Sequence, residues 1–173
     1  QCGLGRTGKL FAFEWAKIKP DIVPIAKGIG GGFPLGACLM NKKTASSMSP
    51  GSHGSTFGGN PLAMSIATVV LDYILNKEFL KNVEKVGDYL KSRLDEEVIK
   101  KYPTLVSGIR GRGLMLGIES KIKNEILIKE MINHKLLTVK ASQNIIRILP
   151  PLILEEKHVD EAILKINKAF KNL

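Results

Sequence analysis

The chain has 173 residues, which suits one domain or two small ones, and 44% of them are hydrophobic, enough for a packed core. No apolar run reaches the length of a membrane-spanning helix, and the net charge of +10 comes from lysines spread along the chain. No basic cluster is interleaved with aromatics, so Lys-rich solvated helix faces are expected rather than a nucleic-acid groove. Cys2 and Cys38 lie far apart and His53, His134 and His158 are scattered, so neither a disulfide framework nor a metal site is expected. The opening Gln1-Cys2-Gly3-Leu4 has neither an initiator methionine nor a signal pattern. It reads as an entry part-way into a domain of a longer protein, in a cytoplasmic setting.

Residues 1 to about 63 hold most of the glycine, in short segments between turns. Asp21-Ile22-Val23-Pro24-Ile25-Ala26 suits a buried strand, with Pro24 moving it toward a sheet edge or strand end. Lys27 and a glycine run follow, and Gly36–Met40 reads as a second buried segment. Asn60-Pro61 opens a helix, since Asn caps and Pro fits the first turn. Leu62, Ile66, Val69, Val70 and Tyr73 continue it at helical spacing. Beyond it the pattern predicts a helix over 78–100, strands at 105–109 and 114–119, and a helix over 123–134. Strands at 136–139 and 145–149 and a last helix over 155–171 complete the chain. The fold class is α/β, with a boundary near 76 separating residues 1–76 from an α+β unit at 77–173.

Three segments carry candidate chemistry. Lys27 ends an apolar run just before Gly28-Ile29-Gly30-Gly31-Gly32. A lysine in a glycine loop is commonly a solvated surface residue. In a pocket it would be partly desolvated, and its amine would become nucleophilic. Ser55 and Thr56 sit in Gly51–Pro61, a hydroxyl- and glycine-rich stretch before a helix N-terminus. That arrangement suits a phosphate as well as it suits an ordinary capped loop. Arg147 interrupts an apolar strand, where it is either a carboxylate-binding fork or an edge residue with its head in solvent or in an ion pair. Gly3-Leu4-Gly5-Arg6-Thr7-Gly8 fits a dinucleotide fingerprint by letters only, because no strand precedes it and no acidic residue ends a second strand. Gly5-Arg6-Thr7-Gly8-Lys9 lacks the phosphate-loop spacing and the hydroxyl after the lysine.

In order and spacing these segments resemble the class III aminotransferases. Gln1–Gly8 is similar to the end of the family motif D-E-x-Q-x-G-x-G-R-T-G, and Ala26–Ala37 to its cofactor-lysine loop. His53–Ala63 is similar to the phosphate-side segment, and Arg110–Gly117 and Ile146–Leu152 to the small domain. The resemblance implies a fold type I enzyme dependent on pyridoxal phosphate (PLP). This chain would be the C-terminal part of its large domain plus its α+β small domain. It implies Lys27 as the residue that carries the cofactor and moves the substrate proton, and Gln1 near the cofactor's ring hydroxyl. Ser55 and Thr56 would hold the phosphate of a neighbouring subunit, in a homodimer. Arg147 would hold the substrate α-carboxylate. The lysine-loop wording is most similar to the branch whose donor is N-acetylornithine or N-succinyldiaminopimelate, with 2-oxoglutarate as acceptor. Ornithine and 4-aminobutyrate enzymes, glutamate semialdehyde mutase, and a non-catalytic piece docking on a full-length subunit are the alternatives. The family's chains are considerably longer. The aspartate that faces the pyridine nitrogen would fall just before Gln1, so the 173 residues alone are expected to be inactive.

Overall fold

The computed structural model describes residues 1–171 and 173. The chain divides into two compact units, Gln1–Leu80 and Lys81–Leu173. The division falls inside helix α3 (Lys77–Leu94), a few residues beyond the expected 76/77 boundary. Each unit is described by itself.

The first unit holds strands β1 (Ile22–Ile25) and β2 (Ala37–Met40), a short helix α1 (Lys42–Ala45) and helix α2 (Pro61–Ile74). Strands β1 and β2 pair antiparallel, with Pro24 opposite Cys38. Among the described residues they form a two-stranded sheet, so the missing N–H of Pro24 interrupts no long ladder. Both strands were expected to be buried, and neither is. Ile22 is 51% exposed and Leu39 48%, because two strands alone provide no second layer to cover their faces. Asn60 caps α2 as expected: its side chain accepts from the Ala63 N–H at 2.9 Å, with Pro61 in the first turn.

The apolar stripe read from the sequence of α2 meets the packed face only along its Ile66 and Val70 side. Ala63, Ala67 and Ile74 are buried, and Val70 is half-buried. Ala67 and Ile74 form a small core with Leu4 and Ile29, against which Val70, Leu10, Ile25, Leu35 and Leu71 pack. Leu62, Val69 and Tyr73, on the other face, are 59%, 60% and 70% exposed. The helix is apolar on two faces, so periodicity could not say which one turns inward.

The second unit is an antiparallel sheet of four strands in the order β3-β4-β6-β5, covered by helices. Its strands are β3 (Val106–Arg112), β4 (Met115–Ser120), β5 (Val139–Ala141) and β6 (Ile145–Ile148); its helices are most of α3, α4 (Asn124–Asn133) and α5 (Glu156–Lys171). A π-type turn over Asp95–Ile99 extends α3. Strand β5 begins later than expected, since Leu137 lies outside it and is 87% exposed. Residues Gln143 and Asn144 both take positive φ, 57° and 59°, the geometry of a tight hairpin turn that Asn tolerates well.

One face of this sheet is the core. Leu116, Ile118 and Ile146 are at most 1% exposed. The helices contribute Val83, Val86, Leu90 and Leu94 from α3, Leu127 and Met131 from α4, and Val159, Ile163 and Phe170 from α5. The spacing of each set is that of one helical face. Helix α3 comes close to the sheet at Gly87, where an added Cβ would lie 2.5 Å from the backbone of Gly113. At the other end Asn124, 1% exposed, donates its side-chain N–H groups to the carbonyls of Ala141 and Ile145. Asn144 in turn accepts from the Asn124 backbone N–H and donates to the carbonyls of Ser120 and Ile122. These two amides fix the β5–β6 hairpin against β4, which sets where Arg147 sits.

Candidate active site

Lys27 follows β1 and begins a single 3-10 turn, Lys27–Gly30, that ends on Gly31 in the left-handed conformation. Lys27 itself has φ of 55°, a region that costs a side-chain-bearing residue free energy. Gly32 at φ 115° carries the chain on through a region that favours glycine. An added Cβ at Gly31 would come 2.9 Å from Val70, so glycine also permits the close approach of this loop to α2.

The Lys27 ammonium donates to the side-chain carbonyl of Gln1 at 2.9 Å. Two of the expected site residues, 26 positions apart, are thus brought into contact. Leu4 is the structural link: buried, at φ 53°, with its side chain next to Gly28, it ties the opening segment to the lysine loop. Within this unit Lys27 is exposed, the solvated position common for a lysine in a glycine loop.

Ser55 and Thr56 lie in a tight turn before α2, closed by the Gly58 N–H donating to the Ser55 carbonyl at 3.1 Å. Both are exposed, and among the described residues neither side chain has a hydrogen-bond partner. Part of the helix-end donor capacity is already used, since Asn60 takes the Ala63 N–H and Pro61 has none.

Arg147 belongs to the second unit. It lies on β6, opposite Gly117 of β4 on one side and Val139 of β5 on the other. It is therefore not on an edge strand, as one of the two readings had it. It is half-buried, and among the described residues it makes no hydrogen bond or ion pair. A half-buried guanidinium without a carboxylate partner is an available anion site.

One residue on the same sheet face was missed. Arg110 of β3 also stands opposite Gly117, on its far side, and pairs with Glu119. The cue in the sequence was the Arg110-Gly111-Arg112-Gly113 run, which had been read only as part of the family resemblance.

Comparison with known proteins decides the family. Residues 1–170 match the model of the class-III aminotransferases. The chain belongs to that family. It is 47% identical over all 173 residues to an acetylornithine aminotransferase of Brucella melitensis, of which it spans 43%. It is 44% identical over 168 residues to one from Bacillus cereus, again spanning 43% of that protein. The crystal structure of an acetylornithine aminotransferase from Elizabethkingia anophelis matches it with a TM-score of 0.90 at 32% identity. That match covers 100% of this chain and 44% of that one. An ornithine delta-aminotransferase of Plasmodium falciparum matches with a TM-score of 0.91 at 34% identity, over 99% of this chain and 44% of that one. The chain thus spans less than half the length of the relatives it matches. The α/β class and the fold of the PLP-dependent aminotransferases are shared with them. Among the described residues no helix is long and apolar enough to cross a membrane.

Proposed function

We propose that this chain carries the cofactor-bearing lysine and the carboxylate-binding arginine of an acetylornithine aminotransferase. The observation that carries the reading is the contact of Lys27 with Gln1, made by a lysine in a left-handed glycine-loop turn. The residues present suit pyridoxal phosphate: an exposed primary amine at Lys27 and, at Ser55 and Thr56, two hydroxyls without a hydrogen-bond partner among the described residues. When bound, the cofactor supplies an electron sink that makes the substrate C–H bond acidic. Lys27 would hold it covalently and then move the proton at its Nζ. Gln1 would orient that Nζ and lie near the ring hydroxyl. Ser55 and Thr56 would donate to the phosphate, across the interface of a homodimer. Arg147 would orient the substrate through its carboxylate.

N-acetylornithine, or N-succinyldiaminopimelate, is the proposed amino donor and 2-oxoglutarate the acceptor, in arginine or lysine biosynthesis in the cytoplasm. The 47% identity to an enzyme of that name supports this choice. Ornithine is the second reading, favoured by the structural match to an ornithine aminotransferase. Residues 1–76 would belong to the large PLP-binding domain and 77–173 to the small domain. The exposed apolar face of α2 supports such a setting, because a free domain rarely leaves a stripe of that kind in water.

Borohydride reduction in the presence of PLP, followed by peptide mass mapping, tests the assignment. The cofactor mass is expected on Lys27 and absent after Lys27→Arg. Labelling spread evenly over the surface lysines would refute it.

A further inference from the structure

Glu119 of β4 lies between two arginines on one face of the sheet. The register sets Arg110 and Arg147 opposite Gly117 from either side, and Gly108 and Ile145 opposite Glu119. Glu119 is therefore the diagonal neighbour of both arginines, at roughly 7–8 Å, a span that an arginine side chain bridges. Its side chain is only 28% exposed, so its charge needs a partner. Two are in reach and it takes one. Arg110 donates from Nε to Glu119 Oε1, whereas Arg147 makes no hydrogen bond or ion pair among the described residues.

Two glycines account for the choice. Oε2 of Glu119 lies 3.1 Å from where a Gly108 Cβ would be, so the carboxylate leans over β3, where the Ser107 hydroxyl donates to it at 3.4 Å. Ile145 leans over Gly117 in the same direction, its Cγ2 2.6 Å from where a Cβ would be. The line from Ile145 to Gly117 crosses the line from Glu119 to Arg147. Arg147 would have to pass over Ile145 to reach Glu119. That favours Arg110 in the competition without closing the other route, since an arginine side chain outreaches an isoleucine.

We propose that Arg110 is a positioning residue for Arg147: it holds Glu119 over β3 and so keeps the Arg147 guanidinium open to the substrate carboxylate. The proposal rests on Arg147 as the anchor of that carboxylate. Without Arg110, Glu119 would turn toward β6 and cap Arg147 itself.

The test uses the 173-residue chain, with butyrate as the probe and no cofactor. NMR follows hydrogen exchange at the Arg147 Nε–H in the free chain, and the Gly117 backbone amide reports butyrate binding. In Arg110→Gln the Nε–H should exchange more slowly, because Glu119 now engages it. Butyrate should bind about fivefold more weakly, the upper range for a partly exposed ion pair. Adding Glu119→Gln to that variant should restore both readings. Arg110→Lys keeps the charge that holds Glu119 and should resemble the wild type. The Arg110 side chain is 62% exposed, so these changes disturb no core.

Unchanged Nε–H exchange in Arg110→Gln would overturn the proposal, and weaker butyrate binding alone would then reflect only the lost positive charge. Slowed exchange that survives the added Glu119→Gln would overturn it as well, because another acceptor would hold Arg147. If exchange responds as expected but Arg147→Gln leaves butyrate binding unchanged, the hold on Glu119 stands and the carboxylate-anchor role of Arg147 falls.

Discussion

Gly87→Ala is expected to destabilise the second unit, although alanine is the better helix former. Gly87 lies within α3, where the substitution should gain about 1 kcal/mol of helix propensity. Against that gain stands a Cβ placed 2.5 Å from both the Cα and the carbonyl carbon of Gly113. Those are backbone atoms, so no side-chain rotation relieves the clash; helix or hairpin must move. Overpacking of a tight core costs about 1–3 kcal/mol, and an encounter with backbone belongs at the upper end. The net expectation is a loss of about 1–2 kcal/mol. Urea denaturation followed by far-UV circular dichroism measures it. Asp88→Ala, at the exposed neighbouring position, is the control and should be neutral or slightly stabilising. If Gly87→Ala were as stable as Asp88→Ala, the close approach of α3 to the β3–β4 turn would not exist in solution. The seating of the Arg110–Arg147 face would then have to be explained differently.

Asn124→Leu should cost about 2–3 kcal/mol in the same denaturation assay, since it strips donors from the carbonyls of Ala141 and Ile145 in a buried setting. An unchanged midpoint would mean that water reaches those carbonyls. The Tyr89 hydroxyl donates to Asp160 at 2.7 Å and, with Arg93, holds its carboxyl below the ordinary value of 3.8. A depressed folded-state value means that the stabilisation is present above the unfolded-state pKa and lost as pH falls through the folded one. Acid unfolding of the wild type should therefore steepen below about pH 4, and Asp160→Asn should flatten that dependence. Parallel acid-unfolding curves would count against the Tyr89–Asp160 link.

Much of the second unit was legible in the sequence because each element there has one apolar face. Val83, Val86, Leu90 and Leu94 repeat at helical spacing with charged residues between them, and Val159, Ile163, Ile166 and Phe170 do the same. Strand order was not legible. Nothing in Ile145–Leu149 says that it pairs with β4 rather than β3, and the β3-β4-β6-β5 order depends on long-range contacts. Gln1 and Lys27 were singled out together only through the family resemblance, and their direct contact was not foreseen, since local residues left Lys27 as a loop amine. Its exposure was one of two open readings, because desolvation depends on what stands over the amine and not on the residues beside it.

Helix α2 separates two meanings of an apolar residue. Ile74 and Val69 are both β-branched aliphatics on one helix, yet Ile74 is 5% exposed and Val69 is 60% exposed. If burial within the unit is what stabilises it, Ile74→Ala should cost about 2–4 kcal/mol and Val69→Ala less than about 0.5 kcal/mol. If Val69 instead belongs to a surface that a longer aminotransferase chain covers, Val69→Asp should leave the 173-residue chain folded. Its effect should appear only in a complete enzyme, as lost assembly. Circular dichroism on the chain and light scattering on a full-length relative carrying the matching change separate the two. A Val69→Asp chain that unfolds would show the stripe to be core within this unit, and the setting proposed for α2 would be wrong.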